Sequence, residues 1–152
     1  MSLPDIDWQT ILANSVLLGV SYLLALPIAF NREKASRSAG LRTYPMVALG
    51  ACGLMLIGIK VMGSTDAEGR VMQAIITGMG FIGGGAILKG DGRVTGLATA
   101  SSLWITGAIG IAVAWRRFEV AVLLSLLTFL TLAVVPSAQK LVDSEPDSDK
   151  PE

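Results

Sequence analysis

The sequence predicts an all-α membrane protein of five transmembrane helices, with its N-terminus outside and its C-terminus inside. Three observations predict it. Of 152 residues, 52% are hydrophobic and 16% charged, and the mean hydropathy of +0.62 leaves less polar surface than a soluble domain of this size carries. The apolar residues fall into five runs approaching the ~20 needed to cross a bilayer as a helix. The charges gather between those runs, as a solvent in which a central charge costs about 2.5–3.5 kcal/mol requires.

The first span, residues 8–30, is free of charge. Asn14, Ser15, Ser21 and Tyr22 within it are expected to hydrogen-bond to neighbouring helices, and Pro27 to kink or end it. The preceding MSLPDIDW has two acids and no basic residue, unlike a cleavable signal, so this span is expected to be retained. In the second span, 44–63, Lys60 lies one turn from the end and is expected to snorkel to the headgroups, with an ion pair to Asp66 or Glu68 as the alternative. Cys52, the single cysteine, has no disulfide partner and reads as a small packing residue.

The third and fourth spans, 71–88 and 94–115, enclose GMGFIGGGAILKGDGRVTGLATASS, eight glycines in 25 residues. A phosphate loop needs Lys followed by Ser or Thr, and a dinucleotide site needs a strand before its glycines. Neither is present. In lipid, small residues four apart let helices approach closely. Gly80 and Gly84 form such a pair on a face with Gln73 and Thr77, and Ala98, Ser102, Thr106, Gly110 and Ala114 form a longer stripe. The two arms are expected to pack along these faces as a tight hairpin, with KGDGR reversing the chain and Asp91 capping the fourth helix. Gly83, Gly84 and Gly85 in succession also permit a local helix break. Trp104 reads as a packing residue, and Trp8, Tyr44 and Trp115 as headgroup-layer aromatics.

The fifth span, 120–135, leads to an acidic tail, 141–152, expected to be disordered in the cytoplasm with no further domain. The loops holding Arg32, Lys34, Arg37 and Arg42 and then Lys89 and Arg93, together with the tail, carry twice the Lys and Arg of the opposite side. This bias sets the orientation, although Arg116 and Arg117 fall on the outer side.

With no histidine, no paired cysteine and no nucleophile–base pair, neither enzyme chemistry nor a cofactor is expected. Asp66, Glu68, Glu33, Asp91 and Glu119 all lie outside the spans, so no metal site and no midplane ion-coupling carboxylate are expected. Nor is a nucleic-acid partner.

The run DAEGRVMQAIITGMGFIGGGAILKGDGRVTGLATASSLWITGAIGIAVA resembles the signature hairpin of the MgtC/SapB family of bacterial membrane proteins, and AGLRTYPMVALGA resembles its earlier motif. The likeness covers nearly all of residues 10–135. It implies a five-helix inner-membrane protein linked to magnesium limitation, acid stress and virulence, with some members restraining the F-type ATP synthase. The matching positions are Arg42 and Thr43, then Asp66, Arg70, Gly78, Gly80, Gly84, Gly96, Leu97, Thr99, Ala100 and Trp104. Larger members add a soluble regulatory domain, so this chain is expected to be a short form. Many members carry Asn or Thr where this one has Ala98.

Two functions compete at this level. One is a non-enzymatic regulator whose glycine-lined helices pack against themselves in a homo-oligomer or against another membrane complex such as the F-type ATP synthase. The other is a small oligomeric ion channel or transporter. Residues expected to serve packing or partner contact are Gly78, Gly80, Gly83, Gly84, Gly85, Gly96, Ala98, Ser102, Thr106 and Gly110. Arg42, Thr43, Lys60, Asp66, Arg70 and Thr99 are the candidate polar positions.

Overall fold

In a computed structural model, which describes residues 7–35, 39–62, 64–90 and 93–143, the chain folds into five α-helices and one short β-ribbon. Helix α1, Trp8–Ala35, begins where the Asp7 carboxylate accepts the backbone N–H groups of Gln9 at 3.0 Å and Thr10 at 3.3 Å. This is N-terminal capping by an acid in the preceding residue. The Thr10 hydroxyl donates to the other carboxylate oxygen, and these bonds hold the Asp7 carboxyl below its ordinary range. Pro27 does not end α1, which continues to Ala35. Helix α2 is Thr43–Met62.

Helix α3, Thr65–Gly85, starts six residues earlier than the expected span. Ser64 accepts from the Ala67 N–H at 3.4 Å, and Asp66 and Glu68 occupy the first turn. Acids at that position face the positive end of the helix dipole, so residues expected in a loop instead begin the helix. Among the described residues four helices are long and apolar enough to cross a membrane: α1, α2, α4 and the Phe118–Val135 part of α5. Helix α3 is the fifth helix and is less apolar, because its first turns are charged and its last turns are mostly glycine.

The link from α3 to α4 differs from the expected reversal. Strands β1, Leu88–Gly90, and β2, Arg93–Thr95, pair antiparallel in the register Leu88↔Thr95, Lys89↔Val94 and Gly90↔Arg93. Helix α4, Leu97–Ala114, therefore starts three residues later than expected. Its N-cap is Gly96, at φ +89°, in place of Asp91, which lies outside the described residues. The ribbon moves the helix start away from Asp91, and the chain re-enters the helix through a left-handed residue.

Helix α4 ends in a paired turn. Arg117 N–H bonds to the Ala112 carbonyl and Arg116 N–H to that of Val113, each at 2.9 Å, with Arg116 at φ 58°. This is a Schellman arrangement with arginine at the position usually given to glycine. Helix α5, Phe118–Asp143, extends well past the expected 135, so the first residues of the anticipated tail, 141–143, are helical. Residues 144–152 lie outside the described residues.

Helix α4 is the hub. It touches all four other helices, and 61% of its most apolar stretch is buried, against 33% or less in the other three candidate spans. The neighbours leave Leu12, Leu23, Leu54, Phe81, Leu123 and Leu127 exposed around the outside. An apolar exterior around a small-residue interior is the arrangement lipid selects.

Candidate functional site

Helices α2 and α4 run side by side and meet through the stripe Ser102, Thr106 and Gly110, all buried. Tyr44, fully buried at the start of α2, places its hydroxyl 2.6 Å from Ser102 Oγ and donates to the Thr99 carbonyl at 3.3 Å. Ser102 Oγ also bonds to the Ala98 carbonyl at 2.7 Å, and Thr106 Oγ1 donates to the Ser102 carbonyl at 2.8 Å. The hydroxyls of Tyr44, Ser102 and Thr106 are all hydrogen-bonded within the protein, as a water-free interior demands. At Gly110 an added methyl would lie 3.0 Å from both Ala51 Cβ and Cys52 N, and nearer still to the Ala48 carbonyl oxygen.

The fourth-span stripe was thus legible, but its partner is α2 and not α3. The arms of the hairpin meet elsewhere. Gly83 lies against Ala100, whose carbonyl oxygen would be 3.4 Å from an added Cβ, and the Met79 side chain lies over Gly107. Helix α3 buries Ile75, Met79 and Gly83, a knob-and-hole contact between a long side chain and a bare backbone. Nothing among the described residues comes within 4 Å of the Cβ positions at Gly78, Gly80, Gly84 and Gly85, so the expected Gly80–Gly84 contact with α4 is absent there. The helix continues without a break through Gly83, Gly84 and Gly85.

Helices α2 and α3 touch at Gly58, where a methyl would lie 3.1 Å from the γ-carbons of Val71. Toward the start of α2 they leave a groove of about 710 Å³. Its walls are Met46, Val47, Gly50 and Leu54 on α2 and Ala74, Ile75, Gly78 and Ile82 on α3, and Arg42 and Thr43 stand at one end. Two residues singled out for polar function and one singled out for packing therefore share a surface.

The other candidate residues do not converge on it. Asp66 and Arg70 lie exposed in the first turns of α3, at the opposite end from Arg42. Lys60 is exposed at that same end and makes no ion pair with Asp66 or Glu68 among the described residues; its field reaches Asp7. Thr99 is buried and contributes its carbonyl to Tyr44, while Ala98 is exposed. Trp104, expected to pack, is 46% exposed beside Met72, Ile76 and Met79.

Sequence reasoning missed two interior groups. Tyr44, assigned to the headgroup layer, is a core residue; the run Tyr44, Ala48, Ala51, Met55, all buried, was the available signal. Arg32, counted only as a topology charge, is 7% exposed with its Nε unpaired among the described residues, and lies near enough to Tyr44 for its charge to be felt there. Nothing in its spacing separates it from Lys34, which is exposed. Ser21 donates to the Leu18 carbonyl of its own helix at 2.8 Å, and its hydroxyl also meets the Cys52 thiol on α2, the interhelical contact expected of it. An unpredicted link runs from Ser125 Oγ on α5 to the Leu24 carbonyl on α1 at 2.7 Å.

Removing the Tyr44 hydroxyl by Tyr44→Phe is expected to cost about 0.5–1.5 kcal/mol, because Ser102 keeps its own helical acceptors. A double-mutant cycle with Ser102→Ala, read by thermal unfolding in detergent, is expected to give a coupling of about 0.6 kcal/mol. Zero coupling would show that the two hydroxyls do not interact.

Comparison with known proteins matches residues 18–141 to the MgtC family. Protein SrpB of Synechococcus elongatus is 32% identical, over 91% of this chain and 82% of its own length. The putative magnesium transporter YhiD of Escherichia coli is 33% identical over 70% of this chain and 53% of its own length. Protein MgtC of Brucella abortus is 36% identical over 68% and 43% respectively. This chain therefore spans about half of the last two relatives. No solved structure matches it.

Proposed function

The chain belongs to the MgtC family, and from that premise we propose that it is a non-enzymatic regulator of the bacterial inner membrane, tied to magnesium limitation or acid stress, that acts by docking α3 onto a partner. The observation carrying this reading is the bare outer face of α3. Gly80 and Gly84 stand one turn apart with no neighbour among the described residues within 4 Å of their Cβ positions, on a multi-pass membrane protein whose own hairpin contact uses Gly83 instead. Such a pair lets a second helix approach closely without a side chain in the way. Another copy of the chain or a membrane complex such as the F-type ATP synthase fits that face.

Ion transport is the competing reading, supported by the name of one relative, a putative magnesium transporter. The buried charge in the bundle weighs against it: Arg32 is a cation, and its field opposes entry of another.

Gly80→Leu separates the readings. The substitution is expected to leave the unfolding temperature of the purified chain unchanged, since the site is open, yet to abolish disulfide cross-linking through α3 cysteines and growth under magnesium limitation. Magnesium flux through liposomes at transporter-like rates, insensitive to Gly80→Leu, would sink the regulator reading.

A further inference from the structure

The groove between α2 and α3 has a length, a lining and a charge that specify an occupant different from a helix on the Gly80 face. Gly78, on the groove wall, and Gly80 lie about 160° apart around α3, so the two surfaces are separate. The groove runs from Thr43 to Leu54 along α2 and from Ile82 back to Val71 along α3, about 17 Å on either side at the helical rise, close to the ~15 Å of hydrocarbon in one leaflet. Its walls are apolar over that length, and Gly50 and Gly78 leave its floor open, with nothing among the described residues within 4 Å of either Cβ position. Only at the Arg42 end does it become polar.

We propose that this groove holds one acyl chain of an anionic phospholipid, with the lipid phosphate on Arg42 and Thr43. The contact falls to side chains because the first amides of α2 are committed: Thr43 and Tyr44 both donate to the Gly40 carbonyl, at 3.0 and 3.1 Å, and Pro45 has no N–H. An exposed guanidinium beside a threonine hydroxyl supplies the charge and the donors a phosphate requires. Arg42 also stands at the end of the bundle that carries Lys34 and Lys89, where a basic surface concentrates anionic headgroups. The inference needs only that the chain spans a membrane and is independent of the regulator reading.

The test is native mass spectrometry of the full chain, delipidated in detergent and incubated with phosphatidylglycerol or phosphatidylcholine of the same acyl chains. Wild type is expected to retain phosphatidylglycerol about fivefold better, the worth of one basic side chain at an anionic surface. Arg42→Gln removes that preference while still retaining lipid, and Arg42→Lys restores part of it. Gly78→Leu fills the groove and lowers retention of both lipids, with the circular dichroism spectrum and unfolding temperature unchanged. Equal retention of the two lipids by wild type, an undiminished preference in Arg42→Gln, or unchanged retention in Gly78→Leu overturns the proposal. So does a dimer of wild type that Gly78→Leu converts to monomer without altering bound lipid, which would assign the groove to a second copy.

Discussion

Gly110→Ala is expected to be the most damaging one-carbon substitution within a helix of the bundle. Its new methyl would press on the Ala48 carbonyl oxygen and lie 3.0 Å from both Ala51 Cβ and Cys52 N. Two of those three atoms are backbone in the middle of α2, so relief requires moving a whole helix. That movement would also pull Tyr44 away from Ser102 and Thr99, which share the seam. Overpacking of this kind costs about 1–3 kcal/mol, and the rigid neighbours place this case at the upper end. Gly107→Ala is the natural comparison: the three atoms nearest its methyl all belong to the Met79 side chain, which can rotate away and adapt. Thermal unfolding in detergent should rank Gly110→Ala well below Gly107→Ala. Equal midpoints for Gly110→Ala and wild type would mean that α2 and α4 do not approach as closely as described.

Gly96→Ala is expected to disable the junction between the ribbon and α4. Two penalties act together there. The backbone is left-handed at φ +89°, which costs a residue with a Cβ about 1–2 kcal/mol. The methyl would also overlap the Ala86 carbonyl, with its carbon at 2.9 Å and the Ile87 Cα at 3.2 Å. Because Ala86 is the C-cap of α3, the collision drives apart the end of one helix and the start of the next. A combined loss of about 2–4 kcal/mol follows. Gly84→Ala, in the open face of α3, should by contrast be neutral or gain up to ~1 kcal/mol from helix propensity. The pair can be compared by unfolding temperature and by the yield of monodisperse protein after extraction. A Gly96→Ala variant as stable as Gly84→Ala would falsify the left-handed junction.

These contrasts show which part of the glycine pattern could be read from spacing. The periodicity of Ala98, Ser102, Thr106, Gly110 and Ala114 marked a face that is buried from Ser102 onward and exposed at Ala98, because repeated small residues have a direct meaning in lipid. The same periodicity at Gly80 and Gly84 marked a face that the chain itself leaves empty. Spacing identifies a surface able to accept a neighbour and carries no information about which neighbour comes. The buried side of α3 was instead written as Ile75, Met79 and Gly83, a mixed stripe that alternates bulk and absence and so looks unremarkable beside the glycine runs. Arg32 was hidden for a related reason: a basic residue at a span's end satisfies the topology rule whether it faces water or the bundle.

The linear sequence was enough to establish the solvent and the element type, because an apolar run of membrane length must satisfy its backbone internally and can do so as a helix. It was likewise enough for the family, whose motif residues are contiguous. Helix pairing was decided only in three dimensions. Lipid-facing and neighbour-facing positions are both apolar, so hydrophobicity does not distinguish them, and close approach depends on the shapes of two surfaces at once. That is why the placement of Gly110 on α2, the burial of Tyr44 and the groove beneath Arg42 emerged only from the packed chain.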